Sequence, residues 1–169
     1  GYSYAVNLGI ARTVREGVVR SVGLMPNMSE TERGLSLVKQ AAADAGKTIA
    51  IGQHTNVCLG KPCSDPAFIS SLLDEDGNFK SSKVFRQSFK EGVDFVNFDE
   101  AVLEIEAQHA RFKDVVGSEP DYFEAHAVLS KNLMRAITYV AQKHHLKEQS
   151  ISFDHNKPVI CGTTEVYVS

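Results

Sequence analysis

Tryptophan is absent from this 169-residue chain, only five prolines interrupt it, and its three cysteines include no CxxC pair. An odd, sparse cysteine set excludes a disulfide framework and fits a reducing compartment. Cys58 and Cys63 lie close to His54 in sequence, but their spacing matches no structural zinc pattern, and both read as small buried thiols. No apolar run approaches the roughly 20 residues that a membrane-spanning helix requires. Neither sign of charge dominates: 18 Lys and Arg stand against 21 Asp and Glu, a formal net charge of -3. With no basic stripe interleaved with aromatics, the chain carries no electrostatic footprint for nucleic acid. The motifs GxSxG, GxGxxG and GxxxxGKS/T are missing too, so neither a serine-hydrolase elbow nor a nucleotide-binding loop has local support. Nucleic acid and membrane are therefore not expected partners, and the cytoplasm is the expected location.

What is present is an ordinary globular composition, 43% hydrophobic and 23% charged. That is enough for one core, so residues 1–169 are expected to form a single domain. Val6, Ile10 and Val14 recur every four residues before Gly17, which predicts a helix over 4–16. VVRSVGLM (18–25) reads as a strand closed by Pro26 and Asn27. Ser29 and Glu32 form a capping-box signature for a helix with Leu35, Val38 and Ala42 on one face, ending near Gly46. TIAIGQHTN (48–56) is the next strand. Residues 57–97, broken by Gly60, Pro62, Pro66 and Gly77, leave room for two short helices. A long helix then runs from Asp99 to Val116, stopped by Gly117. PDYFEAHAVL (120–129) reads as a strand, and Ser130 caps a helix with Leu133, Ile137, Val140 and His144 along its inner face. SISFDH (150–155) and EVYVS (165–169) read as short strands. Strands alternating with helices predict a parallel α/β sheet, open or closed into a barrel.

In parallel α/β folds, chemistry collects at the carboxyl ends of strands. His54 and His126 each sit late in a strand, and imidazole is the commonest side-chain ligand of transition metals. Glu124 shares a strand face with His126 and can orient or activate a neighbour there. Two histidines make an incomplete site, because a stable one takes a third protein ligand. His109 and His144 read as core or boundary residues, His145 as a helix-ending cation, and His155 beside Asp154 as a lesser candidate. Glu100, Glu104 and Glu106 read as one solvated helix face.

Three ordered segments carry a family resemblance. GYSYAVNLGIARTVREGVVRSVGLMPNM resembles the part of YdjC/ChbG-like carbohydrate deacetylases that follows an Asp-Asp-x-Gly motif. IGQHTNVCLGKP resembles their Gly-x-His-x-Asn-x-x-x-Gly-x-Pro segment. EIEAQHARFKDVVGSEPDYFEAH resembles their Glu-x-x-x-Gln helix and the strand that ends in a second histidine. The resemblance implies an α/β, (β/α) barrel-like fold, incomplete in this chain. It also implies a metal-dependent hydrolase that removes N-acetyl groups from small carbohydrates such as chitooligosaccharides. His54 and His126 would then be metal ligands, with Gln53, Asn56 and Glu124 as substrate or supporting contacts. The cofactor is one divalent ion: magnesium by family description, with zinc equally suited to imidazole ligands. An acetylated sugar is the implied substrate and a homodimer the implied assembly. The Asp pair that supplies the third ligand and the general base is expected before Gly1. A His-Pro-Gly segment finds no match before Ser169, so truncation at both ends is expected. Val128 stands where the family often has a further histidine, which bears on which sugar is accepted. A non-catalytic sugar-binding remnant and a related metal-dependent amide hydrolase are the alternatives.

Overall fold

The computed structural model describes residues 3–128 and 130–148, together with the backbone of residues 159–161 and 164–166. Helix α1 (Tyr4–Glu16) starts at Ser3, whose hydroxyl accepts from the Val6 amide, and buries Asn7, Ala11 and Val14. Its last turn leaves carbonyls without helical partners. Lys47 supplies them, its Nζ donating to the carbonyls of Val14, Arg15 and Gly17 at 2.7, 3.0 and 2.7 Å.

Strand β1 (Ser21–Leu24) leads into α2 (Thr31–Asp44) and then β2 (Ala50–Thr55). The expected capping box does not form. A turn bonded from Met28 N to Met25 O and from Thr31 N to Met28 O delays the helix to Thr31, past Ser29. The Thr31 hydroxyl instead donates to the Met25 carbonyl at 2.6 Å. The apolar stripe is as expected: Leu35, Val38 and Ala42 are buried, and α1 packs on α2 through Ala11, Val14, Val38, Ala41 and Ala42.

The 57–97 excursion holds two single 3-10 turns, Pro66–Phe68 and Ser70–Leu72, and helix α3 (Ser82–Lys90). It is internally packed: Val57, Ile69, Leu72, Phe79, Phe85 and Val96 enter the largest core cluster with residues of the two helices that follow. Of these, α4 (Phe98–Val116) begins at Asn97, whose side chain accepts from the Asp99 and Glu100 amides. It stops at Gly117, where φ is +83 and a side chain would be strained. Strand β3 (Phe123–Ala125) is shorter than the sequence predicts, and Ala127 at φ +51 turns the chain out of the extended conformation. Ser130 caps α5 (Lys131–Lys143) by accepting from the Leu133 amide.

The sheet is parallel, in the order β1-β2-β3. It corrects the barrel expectation: these three strands form a small open sheet that does not close on itself. Three strands of four, six and three residues cannot curl far enough to meet. Beyond β3 the described chain adds one isolated bridge, Phe123 with Glu148. Strands β4 (Val159–Cys161) and β5 (Thr164–Val166) pair antiparallel as a separate hairpin. The predicted strand over 150–155, together with His155, lies outside the described residues. Among the described residues, no helix is long and apolar enough to cross a membrane.

Candidate functional site

Parallel pairing sets His54 of β2 opposite Glu124 of β3, and His126 follows just beyond the end of β3. His54 Nε2 and His126 Nδ1 face each other at 2.9 Å. The opposite nitrogen of His54, Nδ1, is buried and makes no aligned hydrogen bond, although Glu124 Oε1 lies only 2.7 Å away. Burial, reinforced by the neighbouring His54 ring and opposed by Glu124, lowers the His126 pKa. A neutral His126 keeps a lone pair free for an electrophile.

Strand β1 makes room for this arrangement by omission. A Cβ on Gly23 would stand 2.1 Å from Glu124 Oε1 and 3.1 Å from His54 Cβ. Gly23, His54 and Glu124 thus form one packed row across the three strands.

The remaining expected site residues are placed differently. Gln53 alternates to the opposite face, where it is fully buried and reaches the Ile105 carbonyl of α4 at 3.4 Å. The structure therefore does not bring it together with His54 and His126. Asn56 is buried as well and folds the turn after β2. Its Nδ2 donates to Leu59 O and Asn27 Oδ1, and its Oδ1 accepts from the Cys58 amide.

Behind that turn lies a residue that the sequence reading assigned to solvent. Glu104 is fully buried. Its carboxylate accepts from the amides of Cys63 and Ser64, the Ser64 hydroxyl and Gln108 Nε2, at 2.6–3.0 Å. Gln108 in turn accepts from Asn56 N and donates to Asn56 O. The signal was available: Ala101, Glu104, Ile105, Gln108 and Phe112 follow the i, i+3, i+4, i+7 spacing of a buried stripe. Cys58 is buried as expected, whereas Cys63 is half-buried.

A second imidazole cluster lies between the helices. One donor atom each from Glu106, His109 and His144 falls within a common 4.8 Å, close enough to hold a divalent metal ion. His109 is buried as predicted, but its meeting with His144 and Glu106 was not foreseen.

The fold and the strand-end histidines together make comparison with known proteins informative. Residues 1–164 match the family described as YdjC-like protein. The chain belongs to that family. Its relatives include a carbohydrate deacetylase of Thermoanaerobacter pseudethanolicus, 28% identical over 98% of this chain and 63% of that protein. A chitooligosaccharide deacetylase of Salmonella typhimurium is 32% identical over 75% of this chain and 45% of that protein. Among solved structures, one from Enterococcus faecalis named for cellobiose-phosphate cleavage aligns with a TM-score of 0.77 and 28% identity. That alignment covers 91% of this chain and 56% of the other. The chain spans about half the length of the relatives named here.

Proposed function

We propose that this chain carries part of the active site of a hydrolase that removes N-acetyl groups from a small acetylated carbohydrate, and that His54 and His126 are two of its metal ligands. The observation that carries this reading is the pair of ring nitrogens facing each other at 2.9 Å at the ends of adjacent parallel strands. Two neutral imidazoles need only one proton between them. Two nitrogens each about 2.0–2.1 Å from one cation are also separated by roughly 3 Å. The orphaned Nδ1 of His54 beside Glu124 supports the same reading, since a metal-bound histidine characteristically donates its other N–H to a carboxylate.

His54 Nε2 and His126 Nδ1 would hold the ion, with zinc and magnesium both compatible with the family. When bound, a divalent ion polarises the acetamide carbonyl and makes a bound water more acidic. The chain's own residues do the rest of what can be assigned. Glu124 Oε1, 2.7 Å from His54 Nδ1, is placed to accept that nitrogen's proton once the ring aligns, which would leave Nε2 free for the ion, and Gly23 leaves the space in which Glu124 sits. Glu104, Gln108 and Asn56 fix the turn that follows β2, and with it the position of His54.

The test is metal stoichiometry and N-acetyl hydrolysis of chitooligosaccharides by the full-length protein. His54→Ala and His126→Ala should each remove one equivalent of bound metal and all detectable deacetylation. Wild-type stoichiometry and turnover in both variants would overturn the assignment.

A further inference from the structure

The helix-seam cluster takes no part in the reaction just described. Glu106 and His109 are three residues apart on α4 and share a face, while His144 ends α5. The two rings approach to 4.3 Å between centroids. We propose that Glu106, His109 and His144 form a zinc site that ties α4 to α5, separate from the strand-end histidines.

The donor chemistry fits. Two imidazole nitrogens and one carboxylate are a common three-ligand set for zinc, and Glu-x-x-His on a helix is a spacing that helical bundles use to present metal ligands. The geometry fits as well: His144 Nε2 lies 2.8 Å from Glu106 Oε2, and the His109 ring beside them is buried.

Lys143 and Glu119 contact the cluster, and both are about half exposed. Lys143 Nζ lies 2.8 Å from Glu106 Oε1, with 54% of its side chain exposed. An ammonium so placed returns to water at little cost. Glu119 contacts His109 Nε2 at 2.5 Å and is 47% exposed. It need not leave, because a carboxylate on the second ring nitrogen is the usual support for a metal-bound histidine. Zinc there would clamp two helices that pack against β2 and β3.

The proposal does not rest on the deacetylase reading, and its test separates the two. Zinc chloride is titrated calorimetrically into the full-length protein carrying His54→Ala with His126→Ala, which removes the strand-end pair. One equivalent should still bind and should raise the melting temperature. Adding His144→Gln, or Glu106→Gln, which preserves size and packing, should weaken that binding roughly tenfold or more and abolish the thermal shift. No zinc binding by the double variant overturns the proposal, as does binding unaffected by both added substitutions. If wild type and double variant bind the same single equivalent, the strand-end assignment fails and the seam site stands.

Discussion

His54 Nε2 lies 2.9 Å from His126 Nδ1, although 72 residues separate them in the chain. The meeting is produced by parallel registration of β2 and β3, which sets His54 beside Glu124 and carries His126 to the same end of the sheet. Any change that shifts this register, or the residues packed against it, should be read out at the two rings.

Gly23→Ala is the most direct probe of that packing. The added methyl meets Glu124 Oε1 at 2.1 Å, the far end of a flexible side chain, so the fold can yield there at small cost. Yielding takes Glu124 away from His54. Zinc affinity at the strand-end site should fall about 10-fold or more, with little change in melting temperature. Unchanged affinity would show that Glu124 does not support His54.

Glu104→Ala should be strongly destabilising. It strips the acceptor from four donors in a fully buried setting. A loss of about 3 kcal/mol is expected, roughly 6–12 °C in melting temperature for a domain of this size. Urea denaturation provides the number, and a loss below about 1 kcal/mol would mean that water replaces the carboxylate.

Lys47→Met removes three hydrogen bonds to the end of α1 while keeping most of the side-chain volume. About 1–2 kcal/mol should be lost. Hydrogen exchange should quicken first at the last turn of α1, and uniform quickening across the sheet would contradict a local role.

Cys63 gives a pH dependence with a defined sign. Burial first, with Glu104 adding to it, pushes its thiol from 9.0 up to about 12. The unfolded chain ionises this thiol at lower pH than the folded one does. Its contribution to stability is therefore fully present below about pH 9 and is lost as pH rises toward 12. Cys63→Ala should flatten the alkaline fall in melting temperature over that window. Rapid alkylation of native Cys63 at pH 8 would contradict the protonated thiol.

Elements governed by local spacing were legible in the sequence. α1 and α4 begin and end within about a residue of expectation, and α5 begins at its expected Ser130 cap, because a capping side chain or a glycine stop acts through neighbours in the chain. The capping box at Ser29 failed because the Met25–Thr31 turn supplied a competing set of hydrogen bonds. Glu104 was misassigned because a carboxylate is costly to bury unless donors converge on it, and its donors come from a loop some 40 residues away. Glu106 and His144 were read separately for the same reason, being 38 residues apart.

The sequence by itself determined helices α1, α2, α4 and α5, the order of β1, β2 and β3 among them, the family, and the two histidines placed at strand ends. Periodicity, capping and ordered motifs are properties of contiguous residues. Only the tertiary structure decided that the described strands make an open three-stranded sheet, that Gln53 turns away to α4, and that Glu104 is buried. It also decided that Glu106, His109 and His144 share one seam. Each of these depends on which surfaces meet after the chain has folded back on itself, and that is settled by packing and hydrogen-bond satisfaction across long separations.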